Sequence, residues 1–407
     1  MRTVRSIAPT GLRGLRLVRT PRPPTPPASA LALRPLVVGL NAFDARRLDG
    51  YAGNLLAVAR SARSLSAPGL ASGDASASAH AHVPGREGVA LAAPSPSSLS
   101  SPAAAPAQRL AFALPVAWPG ALAEDIVVPV ACAAPVPSSV DTLTAAALPY
   151  AGLTALAAVD EVTRVGAGDA VVVAGASGPV GVLAVQLAQL RGSDSVVAVA
   201  SRASLDAVAP LLGDVTLLAY DEPSDAAAID DAIAASHVTI NAAAADEDRY
   251  LAAMGRGSSA QLPPRASGRA RAYATLNGPL PRLTDEGGVA IGGALAAFDL
   301  AASKLAARAA GFDYDWVLFH PSGPGLASLL DSVATGQLTP LPHTTDSLFT
   351  FGPFESIPDA SPTESPPSAS SAERAALDAV VAAFRTLDAS TGSGPGKTLI
   401  TFERERA

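Results

Sequence analysis

Residues 170–187 read Ala-Val-Val-Val-Ala-Gly-Ala-Ser-Gly-Pro-Val-Gly-Val-Leu-Ala-Val-Gln-Leu. A short apolar strand that breaks on small residues and restarts as a helix is the local architecture of a dinucleotide phosphate site. In that reading Ala176 allows the tight turn, Gly178 lets a pyrophosphate approach the backbone, and Gly181 lets the helix lie close to its strand. The first helical turn offers unpaired NH groups and the positive end of the helix dipole to an anion, and it tolerates Pro179, whose missing NH would have had no partner there. Because alanine stands in the first glycine position, a plain strand-to-helix turn in an α/β core is the competing reading.

The chain that follows supplies context. Residues 195–200, 215–220, 238–242, 271–276 and 315–320 are apolar, mostly β-branched runs separated by helix-length segments, the pattern of buried parallel strands. With the first run they predict a six-stranded doubly wound sheet, an α/β fold. Where an NAD-preferring site often carries an acid for the ribose hydroxyls, the second strand ends in Ser201 and Arg202. A hydroxyl and a guanidinium hold a 2′-phosphate that a carboxylate would repel, which favours NADPH; a solvated surface arginine is the alternative.

At 407 residues the chain suits two domains. A net charge of −7 provides no basic field for nucleic acid. The single cysteine, Cys132, excludes an intramolecular disulfide and any multi-cysteine metal site. No purely apolar, charge-free run of about 18 residues occurs, so no membrane span is expected. Residues 1–43 hold seven arginines and no acid, the composition of a mitochondrial presequence, yet 4–8 and 31–40 also read as strands around the proline-rich 21–27. Residues 61–82, 94–106 and 361–371 read as loops rich in small residues and proline. Residues 373–387 predict an amphipathic helix with Ala376, Val380, Ala383, Phe384 and Leu387 on one face, and 397–402 a last strand.

Together these features resemble the medium-chain dehydrogenase/reductase superfamily, in its zinc-free, quinone oxidoreductase-like branch. The resemblance spans most of the chain: Leu40-Asn41-Ala42-Phe43-Asp44, the turn Val83-Pro84-Gly85-Arg86-Glu87, and Leu148-Pro149-Tyr150-Ala151-Gly152-Leu153-Thr154-Ala155. Asp49-Gly50-Tyr51, Gly175-Ala176-Ser177-Gly178, Tyr314-Asp315-Trp316 with Phe319, Ser322-Gly323-Pro324, Gly336-Gln337-Leu338-Thr339-Pro340 and Gly396-Lys397-Thr398-Leu399-Ile400 are similar to the Nogo-interacting mitochondrial protein (reticulon-4-interacting protein 1) group. The resemblance implies a discontinuous, β-rich GroES-like catalytic domain (1–150 completed by 321–407), a Rossmann domain at 151–320, and an active site in the cleft between them. It further implies NADPH as hydride donor, a quinone or enone as acceptor, a homodimer, and a mitochondrial location linked to ubiquinone metabolism, with the cytoplasm as the alternative.

Zinc-dependent relatives need a Cys near position 41 and a His-Glu pair after Gly85; here Asn41 and Arg86-Glu87 stand there, and a guanidinium cannot ligate a cation. No metal is therefore expected, and His80 and His82 read as residues of a solvated loop. Without a metal, hydride transfer needs an acceptor that is electrophilic by itself, held in place and hydrogen-bonded at the oxygen that gains charge. The resemblance puts Asn41 and Tyr150 in that polar role, against purely structural readings of each. By the same carry-over Ser177, Gly178, Pro179 and Val180 surround the pyrophosphate, while Ser201, Arg202 and Tyr220 hold the 2′-phosphate and adenosine. Asn241, Leu276, Val317, Phe319, Ser393 and Gly394 line the ribose and nicotinamide side.

Four departures reduce the expected cofactor affinity. Pro395 replaces an arginine, Pro179 a glycine, and Ala242-Ala243-Ala244 the family's Val-Gly-Gly; a Gly-Asp-x-Val strand between Pro106 and Trp118 is missing. A 2-enoyl thioester reductase and a non-catalytic NADPH-binding sensor or scaffold are the competing functions.

Overall fold

The computed structural model describes residues 1–20, 26–66, 82–92, 108–243, 246–257, 264–343, 348–351, 371–389 and 397–402. His80, Ser393, Gly394 and Pro395 lie outside the described residues, as do most of the three stretches expected to be loops.

The chain opens with an antiparallel hairpin, β1 (Arg2–Ser6) and β2 (Leu15–Arg19). The expected strand at 4–8 thus begins two residues earlier, and β2 was not foreseen because its apolar residues alternate with arginines. A mixed sheet follows from β3 (Ala30–Gly39), β4 (Glu87–Ala92), β5 (Arg109–Ala113), β6 (Ile126–Pro129) and β7 (Ala133–Pro135). β5 occupies the region where the missing Gly-Asp-x-Val motif had suggested no clear strand. Leu110, Ala111, Phe112 and Ala113 are all buried there, so apolar packing specifies the strand without the motif.

The chain then builds a parallel sheet from β8 (Ala170–Ala174), β9 (Ser195–Ala200), β10 (Thr216–Ala219), β11 (Val238–Asn241), β12 (Arg271–Thr275) and β13 (Phe312–Trp316). The strand order is β10-β9-β8-β11-β12-β13, a doubly wound Rossmann topology that reverses beside β8. Finally β14 (Leu348–Phe351) and β15 (Leu399–Phe402) return to the mixed sheet, with β15 antiparallel to β3, so the β-rich part is discontinuous in sequence. The C-terminal helix Ser371–Ala389 buries Ala376, Val380, Ala383 and Phe384, the face expected from their spacing.

A further strand boundary differs from the sequence expectation, and one long apolar helix was not anticipated. The last parallel strand is 312–316 rather than 315–320, because Phe312, Tyr314 and Trp316 alternate inward while Asp313 and Asp315 face away. Such period-2 alternation marks a half-exposed edge strand, whereas a continuous apolar run marks a central one. The helix Leu280–Ala309, two helices joined at Gly288 (φ +73°), is long and apolar enough by length and composition to cross a membrane. Asp299 and Lys304 interrupt the apolar run, which is why a charge-free window missed it. In this fold it lies against β13 and the helix Gly53–Ser66, with Ile291, Leu295, Phe298 and Leu305 exposed.

Candidate active site

β8 ends in a turn whose left-handed residue is Gly175 (φ +77°); Ala176 is fully buried and does not carry the turn. The tight-turn role expected at Ala176 therefore belongs one residue earlier, where a side chain would also strike the backbone of Ala242 and Ala243 at 2.8 Å. Gly178 caps the helix Pro179–Leu190, and a Cβ there would meet only Gly175 O, at 3.5 Å. A Cβ on Gly181 would lie 2.1 Å from Gly175 O, so this glycine is what lets the helix pack on the turn. Ser177, Gly178, Pro179 and Val180 are half-buried around the helix N-terminus, where first-turn amides have no intrahelical acceptor. This open cradle fits a dinucleotide phosphate.

At the end of β9, Ser201 Oγ donates to Ser204 Oγ at 2.8 Å. The Arg202 guanidinium pairs with Asp225 at 3.2 Å, and Asp221 accepts from the Arg202 amide at 2.7 Å. Tyr220 is exposed beside them. The residues expected at the 2′-phosphate are thus neighbours, but two acids share the place, and neither acid drew notice in the sequence.

Asn241 is fully buried at the end of β11; its Nδ2 donates to Tyr273 Oη at 3.0 Å and its Oδ1 accepts from the Ala243 amide at 3.1 Å. It organises the loop from within. Leu276 and Val317 extend the neighbouring strands through the bonds Leu276 N to Asn241 O (3.0 Å) and Val317 N to Thr275 O (2.8 Å). Phe319 stacks on Tyr150 with ring centroids 4.2 Å apart, joining the end of the parallel sheet to the helix Pro149–Leu156.

Asn41 and Tyr150 are brought together by a residue that was only part of a motif. Glu87 is fully buried; its Oε1 accepts from Asn41 Nδ2 (2.8 Å) and Lys397 Nζ (2.5 Å), and its Oε2 accepts from the Tyr150 amide (2.6 Å). Lys397 also donates to Asn41 Oδ1 at 2.5 Å, which fixes the orientation of that amide. Burial pushes the Tyr150 phenol well above its usual range; Asp44 and Glu87 push the same way and Arg86 opposes them. Asp44 accepts from the Asn41 and Gly85 amides, and its carboxyl is raised by burial against the pull of Arg86. Glu87 and Lys397 each stood inside a quoted motif, but only the structure shows that they are buried together.

The donor set around Asn41 does not suit zinc. Glu87 is taken by a lysine and an amide, Arg86 is cationic, and the described residues gather no group of three His, Cys, Asp or Glu able to hold a metal.

No protein-family model and no curated protein matches this sequence. Among solved structures the chain is similar to the quinone oxidoreductase from Coxiella burnetii, with TM-score 0.66, 18% identity and 99% of each chain covered. It is similar to a putative zinc-dependent alcohol dehydrogenase from Rhizobium etli CFN 42 (TM-score 0.65, 18% identity, 100% of this chain and 99% of that one). It also resembles the CurK enoyl reductase (TM-score 0.63, 17% identity, 99% of each). The fold is that of the medium-chain dehydrogenases and reductases. A Rossmann sheet inserted in a GroES-like β-rich part is common to this chain and those structures.

Proposed function

We propose that the protein is a zinc-independent oxidoreductase that passes a hydride from NADPH to a quinone or another conjugated carbonyl. The carrying observation is the glycine turn at Gly175, Gly178 and Gly181, which opens a helix at the end of β8 beside the point where the strand order reverses. In this reading residues 151–320 bind the dinucleotide, and 1–150 with 321–407 complete the site. NADPH, when bound, supplies the hydride. Ser177, Gly178, Pro179 and Val180 receive its pyrophosphate, and Ser201, Arg202 and Tyr220 its adenosine end. The Tyr150–Phe319 stack excludes water from the acceptor and orients it. Asn41, held by Glu87 and Lys397, has a second amide hydrogen left to donate to the oxygen that gains charge, and the neutral Tyr150 phenol can supply a proton. We include in the proposal a place beside the Nogo-interacting mitochondrial group and a mitochondrial location on the quoted motifs alone, since the arginine-rich, acid-free start is folded into the β1–β2 hairpin.

The test is NADPH and NADH titration followed by NADPH oxidation with a short-chain ubiquinone analogue. Oxidation that chelators leave unchanged is expected. Because the Tyr150 phenol is held above its usual range, turnover should show no tyrosine limb from about pH 6 to about pH 10. Binding of NADPH without oxidation of quinones would replace this reading by enoyl thioester reduction or by a sensor role, separated by assay with a 2-enoyl thioester.

We further propose a homodimer. Among the described residues no strand covers the outer edge of β13, and the adjoining helix leaves Phe298 73% and Leu305 72% exposed. An unpaired strand edge beside an apolar helix face suits a second copy of itself around a two-fold axis. Light scattering should give about twice 40.6 kDa for the wild type. Phe298→Asp with Leu305→Asp should give the monomer.

A further inference from the structure

Arg47, on the helix Ala42–Leu48, is 1% exposed. Its Nη1 donates to Tyr51 O at 2.9 Å, while Nε and Nη2, the edge that grips a carboxylate with two parallel bonds, have no acceptor among the described residues. Arg86 is 2% exposed; its Nη1 donates to Pro115 O and Trp118 O, and its Nε has no acceptor. Buried guanidinium groups without acceptors are costly, and native proteins rarely keep them without a reason.

The nearby acids bond to backbone amides, and among the described residues neither makes a hydrogen bond to either guanidinium. Asp44 and Asp285 attract Arg47 electrostatically, while Arg60 and Arg86 repel it. Asp44 takes the Asn41 amide on Oδ2 and the Gly85 amide on Oδ1. Asp285 takes the Ala52 amide on Oδ2 at 2.5 Å and the Asn54 amide on Oδ1 at 3.1 Å. No ion pair within 4 Å joins either acid to either arginine among the described residues. Both guanidinium groups therefore keep buried NH groups without an acceptor, next to each other and to Asp44, and Arg86 lies within electrostatic reach of Tyr150.

We propose that Arg47 and Arg86 form an anion site on the acceptor side of the cleft, and that the hydride acceptor carries a carboxylate which Arg47 grips through Nε and Nη2. This rests on the reductase reading above and narrows its acceptor to an acidic conjugated carbonyl. The way in is the turn at residues 49–52 that lies against the guanidinium. Ala52 (φ +60°) holds a left-handed backbone there, which is strained for alanine, beside Gly50 (φ +94°).

The test uses the full chain with trans-4-oxo-2-pentenoate and its methyl ester as acceptors, and sodium benzoate as a calorimetric probe with and without saturating NADPH. The acid should be preferred over the ester by at least about tenfold in kcat/KM, as a charge-assisted pair requires. Arg47→Met and Arg86→Met should abolish the preference and benzoate binding. Arg47→Met should also raise the thermal midpoint by removing an uncompensated buried cation, whereas loss of a merely structural arginine would lower it. Equal rates for acid and ester, or a lowered midpoint with the preference intact, would overturn the proposal. Benzoate binding that NADPH abolishes would give the site to a cofactor phosphate and overturn the acceptor assignment. Reduction of neither acceptor would overturn the reductase reading, while benzoate binding lost in Arg47→Met would uphold the anion site; absence of benzoate binding would sink it.

Discussion

Gly178→Asp should abolish NADPH binding while leaving the protein folded. The two halves of this result have separate causes. A Cβ at Gly178 meets nothing closer than Gly175 O at 3.5 Å, and the residue's backbone (φ −78°, ψ 164°) is ordinary extended geometry, so the substitution is sterically cheap. The new carboxylate, however, would stand at the helix N-terminus where the phosphate is expected. Two like charges about 4 Å apart repel by about 4 kcal/mol at an effective dielectric constant near 20, which corresponds to about a thousandfold in Kd. Calorimetric titration with NADPH and circular dichroism together check both halves. Gly181→Ala is the contrasting control. Its Cβ would lie 2.1 Å from Gly175 O, so it should lower the urea midpoint even without cofactor. Unchanged NADPH affinity in Gly178→Asp would mean that the glycine turn is only structural.

The second large effect is expected at Lys397. Lys397→Met leaves the Glu87 carboxylate, fully buried, without its cation. Removing one partner of a buried ion pair typically costs about 3–5 kcal/mol, because the remaining charge is left uncompensated. Urea unfolding should register that loss. The double variant Glu87→Gln with Lys397→Met should recover part of it, since the neutral side chain no longer needs a cation and its single amide oxygen can still accept from either Asn41 Nδ2 or the Tyr150 amide, though not from both. Turnover should not recover with stability, because without Lys397 the Asn41 amide has lost the donor that fixes its orientation. Full turnover in the double variant would show that the lysine serves packing alone.

Legibility in the sequence followed the range of the interactions. The parallel sheet was readable because each buried strand is a local apolar run: Val171, Val172 and Val173 are buried at 1% or less, as their β-branched sequence requires. The C-terminal helix was readable for the same reason, its inward face being written at 3.6-residue spacing. β13 was misplaced by three residues at its start, because an edge strand carries Asp313 and Asp315 on its open side and breaks the apolar run. The turn residue was misplaced by one, because the spacing of small residues fits either Gly175 or Ala176, and only φ distinguishes them.

The site divides in the same way. Asn41 and Tyr150 could be nominated from their motifs, and the glycine turn from its spacing. Their connection could not be, since Glu87 joins them to Lys397 across separations of 46, 63 and 310 residues. The same holds for Arg47, whose Nε and Nη2 find no acceptor among the described residues although Asp44 and Asp285 are near enough to attract it. The sequence by itself determined which segments are strand or helix, which faces are apolar, and where a glycine turn opens a helix, because propensity and periodicity act within a few residues. Only the tertiary structure decided which charges are buried together, which are neutralised and which are left waiting for a partner, because burial and Coulomb energy depend on distances in space that chain separation does not record.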